Sequence, residues 1–259
     1  PATRLYGDLV SWDELPTRFH DDMRRFQWDH ATFKVDWALS KPVPWTAGAA
    51  RGAGTVHIGD SLDDLTRFAA ELTMGQVPSK PFLLVGQMTT ADPSRSPAGT
   101  ESLWAYTHVP QQIRTDAGPD AITGRWDERE ATAMADRIEA RIETFAPGFR
   151  SCVKARVVQT PRTMDTGNDS LENGALGGGT AGLHQQLFFR PTPGLARAET
   201  PIGSLFLASA SAHPGAGVHG ACGSNAARAA LAEHSPLGKI VAAPTRRIVQ
   251  RILLGDSKL

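Results

Sequence analysis

ASASAHPGAGVHGACGSNAARAAL, residues 208–231, is the stretch on which the reading of the fold turns. Inside it, Gly215–Gly220 spells GAGVHG, a G-x-G-x-x-G of the kind that opens dinucleotide-binding βαβ units. That fingerprint needs its first glycine directly after a strand. It also needs an acidic residue about 20 positions on, at the end of a second strand, to hold the ribose. Here the strand-like LFLAS (Leu205–Ser209) is separated from Gly215 by residues 210–214, Pro214 among them, and no acid follows Glu233 until Asp256. Too little chain remains for a βαβ unit. A GK[ST] tripeptide is also missing, which excludes a P-loop. What survives is strand, glycine loop, helix. Such a loop leaves backbone N–H groups free at a helix N-terminus, where they favour an anion or an electron-rich ring edge. The small residues Ala208, Ser209, Ala210, Ser211 and Ala212 would let a flat group approach the main chain. A tight connection packed in a core fits the same spacing equally well.

Working outward, HGACGSNAARAALAE (219–233) reads as an alanine-rich helix, with Ala226, Ala227, Ala230 and Leu231 suited to close packing. The tail GKIVAAPTRRIVQRILLGDSKL is apolar and basic, with a last helix expected from Thr245. Upstream of the loop, IGSLFLASA is strand-like, and TMDTGNDSLENGALGGGTAGLHQQ reads as an ordered glycine-rich loop or several turns. Residues 1–160 alternate helical and strand patterns. SWDELPTRFHDDMRRF places Leu15, Phe19, Met23 and Phe26 at helical spacing, with Ser11 or Asp13 to cap it. In TFKVDWALSKPVPW, Phe33, Val35, Trp37 and Leu39 alternate as in a half-buried strand. GTVHIG is a short strand, DSLDDLTRFAAELTMG a helix capped by Asp60 or Ser61, and PFLLVGQMT an apolar strand. SLWAYTHVP sets Leu103, Ala105 and Thr107 against Trp104, Tyr106 and His108, so both faces carry large groups. WDEREATAMADRIEARIETFAPG is a long helix striped by Met134, Ile138, Ile142 and Phe145, and CVKARVVQT is another strand. The fold class is therefore α/β in the mixed α+β sense, an antiparallel or mixed sheet with helices laid on it.

With 259 residues the chain is long enough for one large domain or two modest ones. A formal net charge of zero argues against nucleic acid or an anionic membrane surface as partner. No apolar run is long enough for a transmembrane helix, and PATRLYGDLVSWDELP lacks the apolar core of a signal peptide. Two cysteines, Cys152 and Cys222, make neither a disulfide framework nor a cysteine metal site, so a reducing cytoplasm is expected. His57, His108 and His184 are too scattered for a metal site, so no metal is expected. The absence of G-x-S-x-G leaves a hydrolase without its nucleophile elbow.

GSLFLASASAHPGAGVHGACGSNAA (203–227) resembles the C-terminal signature of FAD-dependent oxidoreductases of the phytoene dehydrogenase, or carotenoid desaturase, type. FKVDWAL, PVPW, GTVHIG, LWAYTHVP and FAPGF look like the middle of less-studied members described as NAD(P)/FAD-dependent oxidoreductases, within the amine oxidase superfamily. The resemblance implies a substrate domain over 1–165, then a glycine-rich segment and the C-terminal part of a Rossmann-like FAD-binding domain over 166–259. It implies FAD as cofactor, with Ser209, Ala210 and Ser211 passing the ribityl and pyrophosphate. Gly215, Gly217, Val218, His219 and Gly220 would then lie at the pyrimidine side of the flavin ring. Relatives commonly carry an acidic residue or Gly-Asp where this chain has Ser209–Ala210–Ser211. Family members are also about twice this length and begin with the βαβ unit that nothing in residues 1–60 matches. The chain is thus expected to be the second half of such an enzyme: one subunit, natural or made by cleavage, completed as a heterodimer by an N-terminal FAD-binding polypeptide, or a fragment of a longer chain, or a relic that no longer binds flavin.

Flavin hydride transfer asks the protein mainly to bind, orient and exclude water. His213 and His219 flank the loop and are the candidate catalytic groups, with a structural histidine the alternative at each. Trp104, Tyr106 and His108 are candidates for lining a cavity for a small or lipophilic substrate, against plain core. Asn173, ahead of the glycines up to Gly179, is a candidate near the substrate, against a surface loop. Lys34 sits in a strand where flavin amine oxidases can hold a water with a lysine. No spacing supports that equivalence, and an exposed lysine is expected. Two rival functions stay in view: a non-catalytic binding or scaffold subunit without flavin, and a hydrolase or transferase using the glycine loop as an oxyanion or phosphate site.

Overall fold

The computed structural model describes residues 1–236 except Pro16. The fold is mixed α/β, with an antiparallel sheet and helices. The chain forms two compact units. One runs from His30 to Asn168 with Glu172–Gly174; the other joins Pro1–Asp29 to Asp169–Leu171 and the chain from Ala175 onward. Pro1–Asp29 therefore clusters with the C-terminal part and not with the sheet that follows it.

The first of these units is built on five strands: β1 (Ala31–Leu39), β2 (Thr55–Ile58), β3 (Leu83–Gln87), β4 (Glu101–Val109) and β5 (Val153–Gln159). Their order is β2-β3-β4-β1-β5, antiparallel throughout. Period-two alternation decides which face is covered, because successive side chains of a strand point to opposite sides. Phe33, Val35, Trp37 and Leu39 of β1 join Leu103 and Ala105 of β4 and Val85 of β3 in one core. The long helix Glu128–Phe145 packs Met134, Ile138 and Ile142 into that core. Its start is capped by Asp127, which accepts from the Glu130 N–H at 2.9 Å. Trp37 keeps its indole N–H satisfied by donating to Glu139 Oε1 at 2.9 Å. The helix Leu62–Thr73 is capped by Ser61, one of its two expected caps, and the chain leaves it through Gly75 at φ +76°.

The second unit contains no strand among its described residues. Helical turns over 2–9 and a helix at Thr17–Arg24 bury Tyr6, Phe19 and Met23, with Leu15 from the segment between them, against Leu195, Leu207 and Ala212. Ser11 makes no side-chain cap; it precedes a short turn at Trp12–Glu14, and the helix proper begins at Thr17. IGSLFLASA, expected as a strand, makes only an isolated bridge between Phe206 and Glu199. Its backbone bonds locally instead: the Leu207 N–H donates to Ala198 O and the Thr200 N–H to Leu205 O. A strand needs a ladder to extend along, and these residues pair with residues 198–200 only over this one bridge. The helix after the glycine loop spans Ala221–His234 as its composition predicts. Ala226 is buried, but Ala227 and Leu231, expected to pack closely, are exposed. The last helix expected from Thr245 lies outside the described residues.

Candidate functional site

In the glycine loop, Gly215, Gly217 and Gly220 take φ of +102°, +156° and +61°, values that L side chains rarely adopt. A Cβ on Gly217 would stand 2.5 Å from the His219 ring. The amides of Gly217, Val218, His219 and Gly220 make no hydrogen bond among the described residues. The first turn of the helix at Ala221 has no side-chain oxygen cap. In its place His219 Nδ1 accepts from the Ala221 N–H at 2.9 Å, so in the neutral ring the proton sits on Nε2. His219 and Val218 are exposed. His213 is half-buried, and its Nδ1 is a buried atom without a hydrogen-bond partner. Its carbonyl accepts from Asn225 of the helix at 3.5 Å. Loop amides, a helix N-terminus and an outward Nε2–H together form a surface of donors suited to an electron-rich group.

Beneath the loop stands a group that sequence reasoning did not single out. Arg190 is only 1% exposed. Its Nε and Nη2 donate to Ala210 O at 2.9 and 2.7 Å, and Nη1 to Thr180 O at 3.0 Å. Nη2 also donates to Gly177 O at 2.8 Å and to Gly179 O at 3.5 Å. Asp29 holds the same glycines by their amides, accepting from the N–H of Gly177 at 2.6 Å and of Gly179 at 3.2 Å. Ser211, fully buried, donates to Gly178 O at 2.7 Å and accepts from the Ala2 N–H at 3.0 Å. Three side chains thus satisfy the backbone of Gly177–Gly179. The glycines make this possible: a Cβ at 177 would stand 2.8 Å from Asp29 Oδ2, and one at 178 would stand 2.8 Å from Ser211 N. Burial pulls the Arg190 guanidinium below its ordinary pKa, opposed chiefly by the charge of Asp29.

Ser209, Ala210 and Ser211 are therefore placed by main-chain and hydroxyl contacts: Ala210 O is held by Arg190, and the Ser211 N–H donates to Ser209 Oγ at 3.1 Å. Of the candidates near substrate, Trp104, Tyr106 and His108 lie together on the partly exposed face of β4. Trp104 and Tyr106 are stacked, with centroids 5.9 Å apart and planes at 12°, and His108 meets Tyr106 edge-on at 5.8 Å. Gly86 of β3 makes room for the indole, since a Cβ there would stand 2.1 Å from Trp104 Cε2. The indole N–H donates to Met88 Sδ at 3.0 Å. Lys34, expected to be exposed, is half-buried beside Tyr106 in register and pairs with Asp36. Asn173 is not on this face of β4. It sits exposed in a left-handed turn at φ +50°, its N–H donating to Asp165 at 3.0 Å.

The chain is 32% identical over 176 residues to pyridine nucleotide-disulfide oxidoreductase domain-containing protein 2 of Mus musculus, a match covering 67% of this chain and 29% of that protein. The Rattus norvegicus protein of the same name matches with the same identity and coverage. The chain is homologous to these proteins. A weaker likeness, 22% over 214 residues, covers 78% of this chain and 35% of phytoene desaturase from Fusarium fujikuroi. The matched region spans about a third or less of each relative's length. No protein-family profile matches the chain.

The residues identified in the sequence divide between the units. The loop set, His213 and His219 included, belongs to the unit that holds the Ala221–His234 helix, whereas Trp104, Tyr106, His108 and Asn173 belong to the sheet unit. Asp29 and Arg190 escaped sequence reasoning because their contacts span long separations; Asp29 meets Gly177 across 148 positions. A single arginine closing the apolar run LFF was the one local sign. Among the described residues no group of three His, Cys, Asp or Glu is placed to hold a metal, and no helix is long and apolar enough to cross a membrane.

Proposed function

We propose that this chain is the C-terminal half or subunit of an FAD-dependent oxidoreductase, acting on a small or lipophilic substrate and completed by a separate N-terminal FAD-binding polypeptide. The observation that carries the reading is the donor surface at Gly217–Gly220: unpartnered amides at the start of a 14-residue helix, in a loop whose Gly217 and Gly220 take positive φ. Homology to a protein named for a pyridine nucleotide-disulfide oxidoreductase domain, and the weaker likeness to a phytoene desaturase, support it. When bound, FAD supplies the hydride acceptor. The chain's own residues bind and orient. The amides of Gly217 to Gly220 and the helix N-terminus stabilise negative charge at the site. The backbone of Ser209–Ser211, fixed by Arg190, offers main-chain contacts and the Ser209 hydroxyl in place of an acidic residue. His219 presents an Nε2–H as donor, and His213 a buried, unpartnered Nδ1 beside the loop. Trp104, Tyr106 and His108 form a wall for substrate, and Asn173, in its exposed turn, is a separate candidate for contacting it. A cytoplasmic location belongs to the same reading, supported by two cysteines that stand as free thiols.

Intact-mass spectrometry and a visible spectrum on the complex purified from its source cells test the proposal. A second polypeptide with a flavin absorbance band is the expected result. Its bleaching on substrate reduction should be slowed about 10²-fold by His219→Ala if that donor assists the transfer. A lone chain that stays colourless with added FAD would defeat the reading in favour of a non-catalytic binding subunit.

A further inference from the structure

Arg190 is an unusual way to hold two loops together. A buried guanidinium loses its hydration, and the usual compensation is a carboxylate within hydrogen-bond distance. Here every hydrogen-bond partner among the described residues is a main-chain carbonyl, on Gly177, Gly179, Thr180 and Ala210. Asp29, whose charge opposes that of Arg190, accepts from the N–H groups of Gly177 and Gly179 and makes no hydrogen bond to the guanidinium. A neutral donor could bridge one or two of these carbonyls at lower desolvation cost, so bracing alone does not account for a full positive charge. The charge also lies directly under the glycine loop. A Cβ on Gly215 would stand 3.1 Å from Nε and 3.2 Å from Cζ of Arg190, so the bare backbone rests on the guanidinium plane. With the side chain 1% exposed, little water intervenes to screen it.

We propose that Arg190 is a positioning residue for the Gly215–Gly220 loop, and that its buried charge adds to the helix N-terminus to favour the reduced, anionic form of a flavin held there. The inference rests on the flavin reading above. It assigns Asp29 the opposite effect: its carboxylate partly cancels the field of Arg190 and so sets how far the loop favours negative charge. The two residues form one device of opposed signs, holding the N–H and the C=O groups of one short backbone segment, Gly177–Gly179.

The test is a dithionite titration of the flavin-loaded complex against a reference dye, for the unaltered chain and three variants, with thermal unfolding recorded alongside. Arg190→Met should lower the ratio of reduced to oxidised flavin at fixed potential at least tenfold, which is about 30 mV for a two-electron couple. Arg190→Lys, which keeps the charge and loses the fork, should stay within threefold of the unaltered complex while unfolding at lower temperature. Asp29→Asn should shift the ratio the other way. A purely structural role would move unfolding temperatures and leave the ratios alone, and that result, or shifts of the same sign for Arg190→Met and Asp29→Asn, overturns the inference. Should Arg190→Met fail to fold, the upward shift in Asp29→Asn decides alone. A flavin-loaded complex with unmoved ratios removes this inference and leaves the proposed function standing; a complex without flavin removes both.

Discussion

Glu130 shows how one side chain can organise a loop whose conformation no local pattern announces. Its carboxylate is fully buried and accepts from the N–H groups of Thr123, Gly124 and Trp126 at 2.9, 3.1 and 3.0 Å, and from the Thr123 hydroxyl at 2.7 Å. Burial alone would raise its pKa, but the hydrogen bonds outweigh it and hold the value at about 2. The loop so gripped includes Ala121 and Trp126, both at φ +52°, where a residue with a Cβ is strained. The folded pKa lies below the ordinary 4.5, so the folded chain resists protonation. The stabilisation is complete above about pH 4.5 and is lost as the pH falls towards 2. Glu130→Gln should therefore cost roughly 2–3 kcal/mol at pH 7 and flatten the acid side of the stability profile. Urea midpoints between pH 2 and 7 measure both; a variant with the original acid slope would show that other carboxylates carry it. In the sequence Glu130 is one more charged residue opening a helix, as legible as its neighbours and no more. His219 is similar: its place beside the glycine loop was readable, but its cap on the Ala221 N–H depends on a backbone path that only the folded loop defines.

At the scale of elements, β4 was the most readable part of the chain. The alternation of Leu103, Ala105 and Thr107 with Trp104, Tyr106 and His108 appears in the structure as buried and half-exposed faces without a break. The sequence did not reveal that the aromatic face depends on a glycine one strand away. Gly86→Ala should displace the Trp104 indole from β3, because its new Cβ would stand 2.1 Å from the ring. The expected outcome is a loss of roughly 1–3 kcal/mol, a changed near-ultraviolet dichroism and a shifted tryptophan emission. Unaltered spectra would mean that the stack with Tyr106 alone orients the ring. LFLAS gives the contrary lesson. Its composition is that of a strand, yet it makes a single bridge, since strand propensity expresses packing against neighbours and not a backbone preference of its own.

For the whole molecule, the sheet unit has a continuous core running from Ala31 to Cys152, with Trp45 fully buried and donating to Gln87 at 2.9 Å. A fragment of residues 30–174 should therefore fold by itself, since a unit with its own core can do so. Circular dichroism and thermal unfolding of that fragment should show native-like sheet and one cooperative transition; a broad transition with strong binding of an apolar dye would refute this. The sequence by itself determined the five strands and two long helices of residues 30–160, the alternating faces of β1 and β4, and the glycine loop opening a helix. These follow from the periods 2 and 3.6 and from the backbone freedom of glycine, all local properties. Only the tertiary structure decided that Pro1–Asp29 clusters with the chain from Ala175 onward, that Leu205–Leu207 remains without a sheet, and that Asp29, Arg190 and Ser211 clasp the Gly177–Gly179 backbone. Those outcomes depend on which distant backbone groups lie within about 3 Å of a side chain, and no spacing along the chain encodes that distance.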